Sequence, residues 1–226
     1  MDWAYHPDFG GLAAYEIKSL PEGADGQVRE TIREVAGHVL RDANDPLVME
    51  HAGRALQLGN GCPITGVWNW VKPRIRFQQD EDTARRLHIV DRRVPDIIEV
   101  VIPPRDQARL IEMGRGVEDC DGFTGYAECL LLALGVPIKF VTVSADAEQP
   151  TRFSHVYVAS YLNGRRIPLD FSHGEYPGWE CPNTGRLQEW DLSIANAPSG
   201  ETVALVAAAL LAAAWIGLRH YGKRAA

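Results

Sequence analysis

The chain has 226 residues, and because a typical domain has about 100 to 200, it can hold one domain with extensions or two small domains. Hydrophobic residues make up 46% and charged residues 23%, a composition that excludes wholesale disorder and collagen-like repeats. The 23 Lys and Arg residues against 30 Asp and Glu residues give a formal net charge of −7. A nucleic-acid binder needs a basic face for the phosphates, so this charge argues against nucleic acid as a partner.

The cysteines fall at irregular spacings and form no CxxC pair and no zinc-type Cys/His cluster. They are Cys62, Cys120, Cys129 and Cys181. We therefore expect unpaired thiols in a reducing compartment, and neither a metal ion nor a cofactor. The first residues also lack the basic and apolar regions of a secretory signal.

Residues 1–25 are punctuated by Gly and Pro, which predicts an irregular N-terminal arm ahead of a domain over 26–195. A helix is predicted from Gln27 to about Leu40, because apolar residues recur there at helical spacing. These residues are Val28, Ile32, Val35 and Val39.

Two further helices are predicted in the first half of the chain. Asp45 is an N-cap followed by a proline, so a helix should begin there and end before Gly59. A third candidate helix follows Thr65. Residues 78–105 carry scattered charges and prolines, and they are predicted to form a long loop with one short strand over 97–102.

A buried helix is the strongest pattern in the second half of the chain. It covers 121–134, where apolar residues follow the i, i+3, i+4 and i+7 spacing of a buried stripe, and Gly135 and Pro137 supply its end. The stripe consists of Phe123, Tyr126, Ala127, Leu130, Leu131 and Leu134. A strand over 138–143 is predicted to follow.

Two strands joined by a tight turn come next. Asn163-Gly164 is the strongest two-residue signal for a β-hairpin, and it joins predicted strands over 155–162 and 165–170. Along the chain, the prediction thus gives several helices, then a central helix and then an antiparallel meander. This order is typical of an α+β fold.

Cys120 is the candidate nucleophile because it lies directly ahead of the buried helix. Backbone N–H groups at a helix start have no intrahelical partner, and the positive end of the helix dipole favours a thiolate. The carboxylates of Asp119 and Asp121 oppose this effect unless they point away as caps. The alternative for Cys120 is a small buried residue at a helix start.

The predicted hairpin brings His155 and Asp170 together. A two-residue turn pairs Tyr157 with Asp170, so that His155, two residues away on the same face, becomes the diagonal neighbour of Asp170 at roughly 7 Å. An Asp beside a His fixes its tautomer and stabilises the imidazolium. The alternative is a satisfied histidine of the core or the sheet edge. His173, three residues beyond Asp170, is a second candidate base or a loop residue.

Several segments of the chain, taken in order, match the pattern of a known superfamily. A cysteine at a helix start is followed by one strand, then by a strand that begins with His, and then by a strand that ends with Asp. The segments are 68–77, 119–123, 133–143, 155–158 and 168–170. Together they resemble the transglutaminase-like superfamily of papain-like thiol enzymes, over close to half of the chain. The more particular resemblance is to the proteins of this type encoded in bacteriophage and prophage genomes, which implies a bacterial or phage-associated protein.

The resemblance implies a papain-like core with Cys120 as nucleophile, His155 as general base and Asp170 as the residue that orients it. Two positions depart from the superfamily's pattern, which usually has Gly at the position of Glu118 and often has an acid at the position of Gly122. These departures motivate an alternative function, a catalytically degenerate module with a structural or assembly role, for instance in a phage particle.

The implied chemistry is attack of the thiolate on an amide carbonyl, while protonated His155 assists the leaving amine. The backbone N–H of Cys120 is the first candidate donor to the oxyanion. Candidates for a second donor to the oxyanion are Trp68, Asn69 and Trp70. For the two tryptophans, packing in the core is the favoured role.

The expected substrate is a peptide or protein, and phage structural proteins are further candidate partners. Hydrolysis of a peptide or isopeptide bond is favoured over cross-linking, because the chain shows no calcium loop and lacks the size of the large animal cross-linking enzymes. Acyl transfer to an amine is the alternative.

The segment 203–218 contains no charge and follows a predicted linker over 196–202. A helix there would span about 25 Å, against about 30 Å for a hydrocarbon core. The basic residues that end this apolar helix, up to residue 226, favour a single-pass membrane anchor with a cytoplasmic C-terminus. The alternative is an Ala-rich helix buried in an oligomer or against the body of a cytoplasmic protein.

Overall fold

The structure is a computed structural model, and it describes residues 24–80, 82 and 99–196 together with two strands nearer the N-terminus. The α-helices within these residues are α1 (Ala24–Asp42), α2 (Pro46–Leu58), α3 (Pro63–Val71), α4 (Pro104–Glu112) and α5 (Cys120–Ala133). The strands are β1 (Trp3–Tyr5), β2 (Ala14–Lys18), β3 (Arg76–Phe77), β4 (Glu99–Val101), β5 (Val117–Glu118), β6 (Ile138–Val143), β7 (His155–Leu162), β8 (Arg165–Leu169) and β9 (Leu187–Trp190). This mixture of helices and antiparallel sheet confirms the predicted α+β class.

The second helix begins where an N-cap and a proline coincide in the sequence. Asp45 has an extended backbone, and its carboxylate accepts a hydrogen bond from the N–H of Leu47 at 2.9 Å. Pro46 occupies the first helical position, where its missing N–H has no intrahelical partner to lose. The helix ends at Leu58, directly before the predicted stop at Gly59.

Helix α5 is the centre of the fold. It packs against the other four helices described and against β7, and it is buried on all sides rather than along one stripe. Gly125 lets α1 approach, since a Cβ there would lie 2.6 Å from Cγ1 of Val35. Cys129 is completely buried on this helix, as its place among leucines predicts.

The main sheet is antiparallel with strand order β8-β7-β6-β9. Leu162 pairs with Arg165 across the turn, which is the register that the turn residues predict. Asn163 and Gly164 have φ angles of 52° and 74°, the left-handed conformation that a tight hairpin turn requires. The β7–β8 hairpin is therefore confirmed in both its turn and its register.

Several elements are missing from the sequence-based prediction, among them helix α4 and strand β9. Helix α4 begins at Pro104, at the end of the segment predicted to be a loop, because proline is well tolerated in a first helical turn. Strand β9 has four residues and is held by its pairing with β6, in which Trp190 lies opposite Phe140. The indole N–H of Trp190 also donates to Oγ1 of Thr142 at 2.9 Å.

The N-terminal segment, predicted as an irregular arm over 1–25, contains two short strands. Strand β1 pairs with β2, and β2 pairs with β4, so that Glu16 has Trp3 on one side and Val101 on the other. Pairing with a strand far along the chain is a non-local contact, and the Gly/Pro punctuation of the segment gives no indication of it.

The chain divides into two units, Met1–Ala195 and Asn196–Ala226. The predicted apolar helix over 203–218 lies outside the described residues, as does most of the predicted linker. Within the part of the chain that the structure describes, no helix is both long and apolar enough to cross a membrane. The domain limits and the membrane anchor stay predictions.

Candidate active site

Cys120 is the first residue of α5, and Asp119 is the N-cap of this helix. The Asp119 carboxylate accepts hydrogen bonds from the backbone N–H groups of Asp121 and Gly122, at 3.1 and 3.5 Å. Asp119 is therefore a cap, which meets, for this one of the two carboxylates, the condition under which the helix start favours a thiolate at Cys120. Burial, reinforced by the charge of Asp121, raises the pKa of Asp119, which reduces the negative charge beside the thiol.

The side chain of Thr124 bridges the first turn of α5 and strand β7, which carries His155. Its Oγ1 donates to the carbonyl oxygen of Cys120 at 2.7 Å and lies 3.3 Å from the carbonyl oxygen of Val156. Because Val156 directly follows His155, this one side chain links the cysteine turn to the histidine strand.

The β7–β8 hairpin places His155 at the first position of β7 and Asp170 directly after β8. Nε2 of His155 and Oδ2 of Asp170 form a hydrogen bond of 2.7 Å, and both side chains are buried. A carboxylate only accepts hydrogen bonds, so Nε2 is the donor and Nδ1 is left to take or give a proton. The contact predicted from the hairpin register is confirmed.

Three donors surround the carboxylate of Asp170. Its Oδ1 accepts from Oγ of Ser172 and from the backbone N–H of His173, each at 2.9 Å, and its Oδ2 accepts from His155. Burial opposes the charge, but these hydrogen bonds, led by that of His155, hold the pKa of Asp170 below its ordinary value. An ionised Asp170 stabilises a protonated imidazole at His155.

Cys120 and His155 line one cavity of about 230 Å³. Its walls come from α1, from the start of α5 and from the segment that leads into β7. This volume is smaller than the roughly 300 to 1,000 Å³ of a site for a drug-sized ligand, so it suits a side chain or a short stretch of peptide. The residues of α1 on the wall are Gln27, Val28, Thr31 and Ile32.

Gln27 is a residue of this cavity that the sequence does not reveal. Its half-buried carboxamide belongs to the first turns of α1, and an amide N–H group in such a cavity can stabilise an oxyanion. Arg186 holds the start of α1 in place, because it donates to Oδ1 of Asp25 at 2.8 Å and to the carbonyl oxygen of Thr151 at 3.0 Å. These contacts join distant segments, and no local motif marks them.

The three predicted second oxyanion donors do not line the cavity. Trp68 packs against Phe171 with ring centroids 5.2 Å apart, and Trp70 donates its indole N–H to the hydroxyl of Tyr126 at 3.2 Å. Asn69 is exposed on α3. The tryptophans therefore have the core role that the sequence favours for them, because the apolar face of α3 packs inward.

His173 contacts Asp170 through its backbone N–H rather than through its ring. The ring meets that of His155 edge to face at 4.8 Å, and its Nδ1 lies 2.9 Å from Oγ of Ser172. Partial burial, together with the neighbouring His155, lowers the pKa of His173. His173 is therefore a neutral loop residue beside the His155–Asp170 pair.

Glu118 and Gly122, the two departures from the superfamily's pattern, occupy the same space. A Cβ at position 122 would lie 2.6 Å from Cγ of Glu118 and closer still to its carboxyl group. The Glu118 side chain is buried there, so it fills the volume that any side chain at position 122 would need. The two departures therefore depend on each other.

Two groups of described side chains could hold a metal ion, since in each group one ligand atom per residue lies within 4.8 Å of the others. The first group consists of His155, Asp170 and His173, and the second of Asp80, Glu118 and Asp119. A metal ion at the first group would compete with the hydrogen bond between His155 and Asp170.

A buried His–Asp pair, whose histidine lines the same cavity as a cysteine, defines a candidate cysteine-nucleophile site on an α+β fold. No family model and no curated protein matches the chain. Among solved structures, "Crystal structure of a TGase" is similar to this chain, with a TM-score of 0.39 and 15% sequence identity. The similarity covers 59% of this chain and 32% of that chain, about a third of its length. A TM-score and a sequence identity this low carry no argument about function, so the candidate site is defined by its own geometry.

Proposed function

We propose that this protein is a cysteine-nucleophile enzyme that acts on amide bonds of a peptide or protein, with Cys120 as nucleophile, His155 as general base and acid, and Asp170 as the orienting residue. The observation that carries the proposal is the 2.7 Å hydrogen bond from His155 to Asp170, where His155 shares a cavity with Cys120. An acid bonded to one nitrogen of an imidazole leaves the other nitrogen ready to exchange a proton with the nucleophile.

The first half of the reaction acylates the enzyme. The Cys120 thiol gives its proton to Nδ1 of His155, and Sγ forms a bond with the carbonyl carbon, whose oxygen becomes an oxyanion. The C–N bond then breaks as Nδ1 of His155 gives that proton to the leaving nitrogen. The products of this half are a free amine and a thioester on Cys120.

Water is the proposed acceptor in the second half. His155 takes a proton from a water molecule as the oxygen of that water bonds to the thioester carbon. His155 then gives the proton to the sulfur of Cys120 as the C–S bond breaks. A carboxylic acid is released and the thiol is restored. A primary amine added to the assay separates hydrolysis from transfer, because transfer yields an amide product that mass spectrometry distinguishes from the acid.

The oxyanion needs donors, and we assign two. The backbone N–H of Cys120 is one, since the first N–H groups of a helix have no intrahelical acceptor. The side-chain amide of Gln27, on the wall of the cavity formed by α1, is the other. Loss of one such donor typically lowers kcat by about 10² to 10³, which is the effect expected of Gln27→Ala.

Alkylation by iodoacetamide, followed by peptide mass spectrometry, tests the nucleophile. Cys62 is the matched control within the same chain, because it also stands at a helix start, as the N-cap of α3, and its pKa is lowered by hydrogen bonds from Thr65. We expect Cys120 to react on the order of tenfold faster than Cys62 near pH 7, because His155 adds to the effect of the helix start. His155→Ala should remove this advantage.

An equal rate at Cys120 and Cys62, or a Cys120 rate indifferent to His155→Ala, would overturn the enzymatic proposal. The alternative, a catalytically inactive module with a structural or assembly role, would then take its place. Completely buried Cys129 serves as the unreactive reference, since its alkylation would report unfolding.

A further inference from the structure

We propose that Arg152 determines substrate specificity, by binding a carboxylate of the peptide substrate in a second cavity beside the candidate active site. This inference deepens the proposed function and rests on it. The second cavity has a volume of about 300 Å³ and is lined by residues of the loop between β6 and β7. Residues 152–154 of this loop line both cavities, so the two cavities meet there and one peptide can occupy both.

The backbone that carries Arg152 is held in place by the segment that precedes β9. Arg186 donates to the carbonyl oxygen of Thr151 at 3.0 Å, and its Cζ lies 4.2 Å from the centre of the Phe153 ring. Phe153 is buried, whereas the side chain of Arg152 next to it is exposed. A binding group on a backbone that is already ordered loses less conformational entropy when a ligand binds.

The guanidinium of Arg152 has no carboxylate partner among the described residues. Its side-chain hydrogen bond there, from Nη1 to Oε1 of Gln149, is 3.5 Å long, whereas the neighbouring Arg186 is paired with Asp25 at 2.8 Å. Asp146 also lines the second cavity, but it forms no ion pair with Arg152, and its Oδ1 accepts a backbone N–H from its own turn. The charge of Arg152 is therefore available to a ligand.

A carboxylate fits this site in charge and in shape. The planar guanidinium presents parallel N–H groups that bind both oxygens of a carboxylate. Among the described residues that line the two cavities, Arg152 is the one arginine and there is no lysine. The first cavity instead carries the carboxyl groups of Asp119 and Asp121, which disfavour an acidic group there. An acidic group of the substrate is therefore favoured beside Arg152.

The position of Arg152 limits where the carboxylate stands in the substrate. Arg152 lies three residues before His155, so their Cα atoms are at most about 11 Å apart. An extended peptide advances about 3.3 Å per residue, which places the acidic residue within about three positions of the bond that Cys120 attacks. A contact this far from the reacting atoms strengthens binding in the ground state and the transition state alike, so it should lower KM more than it changes kcat.

Alkylating peptides test the inference on the full chain, because they react with Cys120 directly. One series carries an iodoacetyl group at the N-terminus and the other a chloromethyl ketone at the C-terminus, so that both sides of the attacked bond are sampled. Each probe has Glu or Gln at one of three positions, Gly at the others and no free terminal charge. At one position or more, we expect the Glu probe to react about tenfold faster than its Gln counterpart, and salt should reduce this preference.

Variants assign the preference to Arg152. Arg152→Gln should bring the ratio of the Glu rate to the Gln rate to about one, and Arg152→Glu should favour a Lys probe instead. Arg165→Gln is the matched control and should keep the wild-type ratio, because Arg165 is an exposed arginine that lines neither cavity. A Gln probe with a free C-terminal carboxylate distinguishes an acidic side chain from the end of a chain.

Equal rates of the Glu and Gln probes in the wild type at every position would overturn the inference. A preference for Glu that survives in Arg152→Gln would also overturn it. Failure of the proposed function gives a different result, since Cys120 would then react with uncharged iodoacetamide no faster than Cys62. The reactivity of the thiol cancels in the ratio of the Glu rate to the Gln rate, so the two outcomes are independent.

Discussion

The carboxyl group of Glu118 lies against the Cα of Gly122, in the space where any other residue would place its Cβ. An acidic group therefore reaches the first turn of α5 from strand β5, in addition to Asp121 of the helix itself. The Glu118 side chain is buried in this position, so the contact cannot be relieved by moving it into solvent. The buried acid at position 118 thus requires glycine at position 122, because the two side chains would occupy the same space.

Gly122→Ala is expected to lower the free energy of unfolding by about 1–3 kcal/mol, because the added methyl group overpacks against Glu118. In the background of Glu118→Ala, the same substitution should be nearly neutral, and urea unfolding of the four proteins completes a double-mutant cycle. Gly37→Ala in α1 is the control, since a Cβ there meets nothing within 4 Å. Equal losses in both backgrounds would show that the two residues are not coupled.

Asp170→Asn and Asp170→Ala should slow the alkylation of Cys120 to different degrees. Asn keeps an acceptor for Nε2 of His155 but removes the charge, whereas Ala removes both, so the rates should fall in the order wild type, Asn, Ala. Ala should also lower the free energy of unfolding by about 1–3 kcal/mol, because the buried His155 loses its partner. Asp191→Asn, at an exposed carboxylate, is the control. A wild-type rate in Asp170→Ala would exclude an orienting role for Asp170.

Glu128→Met should stabilise the protein at neutral pH by about 1–3 kcal/mol, because Glu128 is completely buried and neither of its carboxyl oxygens has a partner among the described residues. Burial raises the pKa of Glu128 well above its ordinary 4.5. The folded protein therefore keeps this proton where the unfolded chain loses it, so the wild type loses stability as pH rises above about 4.5. Urea unfolding across this range should show the gap between the two proteins widening, and a constant gap would contradict the prediction.

His51 should make the wild type less stable in mild acid. His51 is buried; its Nδ1 lies 2.7 Å from the hydroxyl of buried Tyr126, and its Nε2 lies 2.8 Å from Oε1 of the exposed Glu112. Burial lowers the pKa of His51 from 6.5, despite the hydrogen bond with Glu112. The unfolded chain thus binds this proton more readily, and the stability that the neutral His51 contributes is lost as pH falls below about 6.5.

The quantity to measure for His51 is the difference in unfolding free energy between the wild type and His51→Gln, since other titrating groups contribute to both. This difference should shrink between about pH 7.5 and about pH 5. A difference that stays constant across this range would show that His51 is not the titrating group.

Local patterns in the sequence suffice for the elements that carry Cys120 and the His155–Asp170 pair. The apolar spacing over 121–134 predicts α5 to within one residue at each end, and Asn163-Gly164 predicts the turn and its register. Strand alternation then places His155 beside Asp170. Each of these is a short-range effect, because helix periodicity, a left-handed turn and pairing across a hairpin all involve residues close together in the chain.

Long-range packing sets the rest of the site. Gln27 reaches the cavity from α1, whereas Trp70, a predicted oxyanion donor, turns towards Tyr126 in the core. Strand β9, the sheet partner of β6, likewise carries no strong local signal. The free energy that joins such segments comes from burying them in a common core, and the period of a local pattern does not specify which distant segments will meet there.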